Sequence, residues 1–288
     1  METKIENSSI PEKPKTFLND YERQILEKGV KKLYAELNKL PPDTLPQIIL
    51  IPDTGARPLV YAIKPIINKI YTNKGQPQPN ITFIVENKQN RLDRSANDTC
   101  VLVETLLEAI ITQKDLRAVY RRKHWSDDEI EQAMGIITAN LTWIGQAEKE
   151  VQKKFGGTQP TRFLVVDDWA GGGTTLAFAD NLIALYQRNR GLSSVDMDNT
   201  RSFFVFGSSF EFDRSFPWSA PARRNMWIGS YHEDRTGFLF RFRHKSAIGV
   251  EKISEPPYHV RRTDRNTQQM RALWREIEQV ARETIETM

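Results

Sequence analysis

The sequence predicts an α/β fold, a mostly parallel central sheet with helices on both faces, and three observations carry that reading. Four short runs, 47–51, 81–85, 163–166 and 202–206, are apolar at successive rather than alternate positions, the pattern of a strand buried on both faces. The first and third lead directly into a glycine-containing loop and then an amphipathic segment, the strand, loop and helix unit of parallel sheets. Stripes at helical spacing occupy much of the chain around them. The 288 residues are enough to bury a full core. With 39% hydrophobic and 27% charged residues, the composition is that of a soluble globular protein.

Residues 1–15 are polar, with Pro11 and Pro14, and read as a flexible tail rather than a signal peptide. Residues 16–288 read as a single domain, because no repeat, low-complexity tract or linker divides them. A helix is expected from Asn19 or Asp20 to about Leu40, with Ile25, Leu26, Val30, Leu33, Tyr34 and Leu37 on one stripe and Pro41-Pro42 ending it. After the run at 47–51 comes Pro52-Asp53-Thr54-Gly55-Ala56-Arg57-Pro58, then a helical Leu59 to Ile70. Beyond the run at 81–85, residues 86–98 are charged and aperiodic, a solvated surface loop on composition alone.

A helical insertion or a helical crossover between strands is expected at about 99–156. Cys100 to Ile111 suits a buried helix. Ser126-Asp127-Asp128-Glu129 is a capping box that opens a second helix, with Ile130, Ala133, Met134, Ile137, Leu141, Ile144, Val151 and Phe155 on its stripe. Between them lies Arg121-Arg122-Lys123-His124-Trp125. This basic cluster could touch phosphate or nucleic acid, but more often such a cluster is a helix C-terminus, where cations favour the dipole. Toward the end of the chain, Met226 to Tyr231 and Phe238 to Phe242 read as strands. Asn266 to Met288 reads as an amphipathic helix with Leu273, Trp274, Ile277, Val280 and Ala281 inward.

The chemistry concentrates in Arg162 to Leu176, R-F-L-V-V-D-D-W-A-G-G-G-T-T-L. An apolar strand ends in two carboxylates, Asp167 and Asp168, and enters three glycines and two threonines before a helix at about Thr174. Glycine lets the backbone lay its N–H groups against a ligand, and the helix start turns free N–H groups and a positive dipole end into the same loop. An anion, above all phosphate, is its natural occupant. The acid pair suits hydroxyls and a divalent cation such as Mg²⁺. A sugar phosphate combines these requirements, and ribose 5-phosphate with a pyrophosphate at C1 combines them best. The loop lacks the Lys of G-x-x-x-x-G-K-[ST] and the spacing of G-x-G-x-x-G. A plainer reading leaves the acids as helix caps.

V-V-D-D-W-A-G-G-G-T-T resembles the phosphoribosyl-pyrophosphate motif of type I phosphoribosyltransferases: four apolar residues, two acids, two variable residues, then a small, threonine- and glycine-rich loop. The resemblance implies a phosphoribosyltransferase-like fold and a glycosyltransferase activity in nucleotide metabolism. Asp167 and Asp168 would hold the ribose hydroxyls, with Mg²⁺ bound directly or through those hydroxyls. Ala170, Gly171, Gly172, Gly173, Thr174 and Thr175 would wrap the 5-phosphate. Two positions depart from the motif: Gly172 stands where a hydroxyl residue is usual, and Trp169 is bulky for a variable position. Thr54-Gly55-Ala56-Arg57 looks like the family's pyrophosphate loop, in which Arg57 offers a planar group of donors. Lys88, Arg91 and Arg94 would supply the cations of a mobile lid. The acceptor would lie under a hood, with Phe216 and Trp218 able to stack a planar base.

The expected partners are phosphoribosyl pyrophosphate and an acceptor that no motif identifies. The family's members are often dimers, so a homodimer is implied. A net charge of +4 and a pI near 9.0 suit a polyanionic substrate as well as nucleic acid, and nucleic acid is the less favoured partner. The alternative is a non-catalytic module of the same fold that binds a ribose phosphate or nucleotide, with RNA or DNA on the basic 223–265 region. A sugar-phosphate hydrolase using Asp167 as nucleophile is a weaker third, since no partner motif accompanies it. One cysteine, Cys100, leaves no internal disulfide and agrees with a reducing compartment. No run nears the roughly 18 apolar residues of a membrane helix, so no membrane is expected and the cytoplasm is the expected location. The four histidines show no metal spacing.

Overall fold

The structure, a computed structural model, describes residues 16–52, 57–84, 106–107, 109–110, 126–157, 160–170, 174–209, 225–232, 250–252, 260–262 and 267–288. It is an α/β protein with a parallel sheet between two layers of helices. Helix α1 (Asp20–Lys39) precedes β1 (Ile48–Pro52), a 3-10 turn (Arg57–Leu59) and α2 (Val60–Asn73). Strand β2 (Asn80–Ile84), α3 (Asp127–Phe155), β3 (Phe163–Ala170) and α4 (Thr174–Asn189) follow. A short α5 (Ser194–Asn199) leads into β4 (Arg201–Ser209). Strands β5 (Met226–Ile228) and β6 (Tyr231–His232), the pair β7 (Val250–Lys252) and β8 (Val260–Arg262), and α6 (Thr267–Glu286) complete the described chain.

The main sheet runs β2-β1-β3-β4-β5, with β6 also on β4, and every pairing in it is parallel. Strands β7 and β8 form a separate antiparallel pair. In β1, Ile49 and Ile51 join the core on one face while Ile48 and Leu50 join the core on the other. That division explains why the sequence shows an unbroken apolar run. Helices α1, α2 and α6 cover the first face, and α3 and α4 the second. Helix α3 packs on β2, β1 and α4, so it closes the second face as part of the crossover from β2 to β3. Leu106 and Leu107 are buried in that same core, and Ile110 packs against it. Among the described residues no helix is long and apolar enough to cross a membrane.

Local chemistry sets the elements where the sequence marks them. Asn19 caps α1 by accepting the Glu22 N–H at 2.8 Å, and the Glu22 carboxylate accepts the Asn19 N–H at 2.9 Å; such a cap stabilises by about 1 kcal/mol. Glu276 of α6 accepts the Phe17 N–H at 2.7 Å and the Arg23 Nη2 at 3.2 Å, tying the entry of α1 to the last helix. Helix α1 lies close on the sheet because of a glycine. A Cβ at Gly29 would stand 2.2 Å from Cδ1 of Phe206, so any larger residue would push the helix outward.

Two boundaries differ from expectation. Strand β3 does not end at Val166 but continues through Asp167, Asp168 and Trp169 to Ala170. Strand β4 likewise takes in Gly207, Ser208 and Ser209, which read as the loop beyond it. The two extensions pair with each other, Asp167 with Val205, Trp169 with Gly207 and Ala170 with Ser208, and the ladder overrides the polar character of the residues. Residues 238–242, expected as a strand, and the cluster at 121–125 lie outside the described residues.

Candidate functional site

Strands β1 and β3 are adjacent and parallel, with Ile48 level with Phe163 and Leu50 level with Val165. Both therefore leave the sheet at the same edge. From β1 the chain passes to β2 on one side and then to β3 on the other. The β1/β3 boundary is thus the switch point of the sheet, where the emerging loops diverge and open α/β sheets bind ligands. Ala170 ends β3 here, and Thr174 opens α4 only four positions later. Arg57 opens the 3-10 turn after β1. Thr54, Gly55, Ala56, Lys88, Arg91, Arg94 and Gly171 to Gly173 lie outside the described residues, as do Phe216, Trp218 and the side chains of Arg57 and Thr174.

The acids are strand residues, and they are covered. Asp167 is 5% exposed and Asp168 0%, and the Asp168 N–H donates to Asp167 Oδ1 at 2.8 Å. A carboxylate supplies the hard oxygens that a divalent cation takes. Among the described residues no three His, Cys, Asp or Glu side chains converge as a metal site. The acid pair would therefore hold Mg²⁺ only with phosphate and water oxygens completing its shell, the arrangement this ion favours.

The next two residues turn the strand's facing around. Strict alternation from Leu164 and Val166 would set Trp169 on the second face and Ala170 on the first, but Trp169 joins the first core and Ala170 the second. Asp167, Trp169 and Ala170 pair in one register with Val205, Gly207 and Ser208 of β4. The indole, 7% exposed, lies over Gly207, where a Cβ would be 2.6 Å from both Cε3 and Cζ3. Beside it, the Ser208 hydroxyl donates to the Ala170 carbonyl at 3.0 Å. The bulky residue of the motif is therefore an inward anchor of the sheet edge and not an obstacle in the loop.

Sequence reasoning missed what surrounds that anchor. The His232 ring lies 5.8 Å from the Trp169 ring and 5.2 Å from that of Tyr21, edge-on to the latter. Its Nε2 is 2.7 Å from Ser230 Oγ, which also donates to the Phe206 carbonyl at 3.2 Å. Strand β6, β3 and the first turn of α1 thus meet beside the acid pair. The only signal in the sequence was indirect: a tryptophan at a strand end needs a small residue opposite it, and Gly207 is that residue. Comparison with known protein families, with curated proteins and with solved structures returns no match.

Proposed function

We propose that the chain binds 5-phosphoribosyl 1-pyrophosphate where β1 and β3 end and transfers its phosphoribosyl group to a nitrogen acceptor such as a nucleobase. The observation that supports this most is the adjacency of β1 and β3 across the switch point. It brings the departure points of the T-G-A-R and G-G-G-T-T segments to one edge, with the N-terminus of α4 beside them. In the reaction the C1–O bond to pyrophosphate breaks with oxocarbenium character, the acceptor nitrogen bonds to C1, and its proton passes to solvent. Such a reaction needs a well-placed ring and electrostatic help rather than an enzyme nucleophile. Ala170 to Thr175 would hold the 5-phosphate and Arg57 the pyrophosphate. Asp167 and Asp168 would fix the ribose and set negative potential near C1. Mg²⁺, held by the acid pair and by phosphate oxygens, would supply charge neutralisation at the leaving group.

Titration calorimetry with phosphoribosyl pyrophosphate, with and without Mg²⁺, tests the binding. Tight, Mg²⁺-dependent association that Asp168→Asn weakens at least about tenfold is expected, and association indifferent to both changes would refute the site. Release of pyrophosphate with a panel of bases tests the chemistry. The depth of the acids favours one second reading, a regulatory module of the same fold that binds a ribose phosphate or nucleotide without turnover. Binding with no pyrophosphate release for any acceptor, and a steep salt dependence of RNA affinity, would select it.

A further inference from the structure

A cleft of about 260 Å³ opens at the other end of the sheet, between the C-terminal turns of α3 and α4 and the residues that lead into β3. Along β3, Phe163 in the cleft's wall is four and five residues from Asp167 and Asp168, about 13–17 Å at the rise of an extended chain. Its wall carries the Glu148 carboxylate, 9% exposed. Glu148 accepts the Thr161 hydroxyl at 2.8 Å and the Tyr186 hydroxyl at 2.7 Å. Burial, and then that bond to Glu148, push the Tyr186 hydroxyl well above the usual tyrosine range, so it keeps its proton and donates. Arg190 completes the set with Nε 3.4 Å from Glu148 Oε2, but its side chain is 54% exposed, so the guanidinium is loosely held and easily displaced.

Several features of this cleft favour positive charge, beside the Lys153, Lys154 and Arg188 that the last turns of α3 and α4 also carry. Both α3 and α4 turn their negative C-terminal ends to it, and Gly156 and Gly191, in left-handed conformation, close those helices. Gln187, 2% exposed, donates from Nε2 to Thr200 at 2.7 Å, but its Oε1 is buried with no donor among the described residues. Phe163 and Tyr186, edge to face at 6.4 Å, supply aromatic lining that attracts a cation. We infer that the cleft binds a small organic cation with N–H donors, a guanidinium or primary ammonium on a short aliphatic stem, which takes the place of the Arg190 head group beside Glu148 and supplies the donor that Gln187 lacks. The volume lies just below that of pockets for drug-sized ligands, which suits a ligand of about ten heavy atoms. The site is distinct from the sugar-phosphate edge and stands whether or not that edge binds phosphoribosyl pyrophosphate.

The probe is agmatine, which carries both head groups, with choline as a cation of equal head-group charge and no N–H; titration calorimetry on the full chain reads affinity. Glu148→Gln and Gln187→Met are each expected to weaken agmatine at least about tenfold. Arg190→Ala removes the internal competitor and should tighten agmatine about two- to fivefold, the worth of an exposed ion pair. Because Glu148→Gln can also loosen the packing of α3 on α4, the Arg190 variant is the deciding arm, since its side chain is largely in solvent. Unchanged or weaker agmatine binding in Arg190→Ala, choline binding as tight as agmatine, or no agmatine binding to either protein would each overturn the inference.

Discussion

Replacing Gly207 by alanine should damage the sheet edge through Trp169 and through nothing else. The added Cβ would stand 2.6 Å from two carbons of the indole, whereas carbon atoms rest at about 3.5–4.0 Å. The ring must therefore retreat by about 1 Å. It has little room to do so, being 7% exposed and packed in the core formed by α1 and α2. Overpacking of this kind costs about 1–3 kcal/mol. Trp169→Leu alone opens a cavity and should cost about 2–4 kcal/mol. In the double variant the overlap vanishes, so the combined loss should fall short of the sum by about 1–3 kcal/mol. Urea unfolding of the four proteins, followed by far-ultraviolet circular dichroism, measures this cycle. Losses that add to within about 0.5 kcal/mol would show that Gly207 is needed for some other reason and would refute the argument.

Three further outcomes follow from the packing and the charges. Gly29→Ala should lower the melting temperature despite the gain in helix propensity, because overlap with Phe206 at 2.2 Å outweighs the roughly 1 kcal/mol that alanine normally contributes; a rise in melting temperature would contradict the close approach of α1. Arg201, 8% exposed, binds Asp180 at 2.5 Å and Asp198 at 2.9 Å, so Arg201→Met should cost about 3–5 kcal/mol at neutral pH by leaving buried carboxylate charge behind. Burial raises the Asp180 carboxyl above its ordinary range, against the pull of Arg201, so the folded form takes up a proton before the unfolded chain does. Without Arg201 that carboxyl rises further still, so the Arg201→Met deficit should shrink as pH falls through the variant's value toward the lower one of the intact protein, and a deficit constant from neutral to acid pH in chemical unfolding would refute it. Asn19→Ala should lose about 1 kcal/mol in the same assay by breaking both arms of the capping box, and no loss would mean that Glu276 alone fixes the start of α1.

The fold was legible wherever burial and hydropathy agree. Strands β1 and β2 and the first part of β3 are apolar runs, and α1 and α6 carry long one-sided stripes, so pattern and structure coincide. It was illegible where a polar residue is held inside a ladder. Asp167, Gly207 and Ser208 look like loop residues, yet the β3/β4 pairing takes them in, and no local signal marks that. Glu148 reads as one more charge on a helix stripe. Its burial comes from Tyr186 and Thr161, 38 and 13 positions away, and the cleft it lines is built from three separate segments. At the candidate site, the linear motif marked which residues are chemically suited to a phosphorylated sugar. It carried no information on the ring cluster beside the acids, because Trp169, His232 and Tyr21 are brought together only by the strand order and the packing of α1.

The bonds from Glu276 to the segment around Phe17 and Arg23 carry a consequence for how the chain is made. The partners are more than 250 positions apart, so during synthesis α1 emerges long before the helix that fastens its entry. Until α6 leaves the ribosome, part of the apolar stripe of α1 has no cover, and a nascent chain in that condition is a natural client for chaperones. Contacts of such long range also slow closure in a refolding experiment, which makes the last helix the latch of the whole assembly.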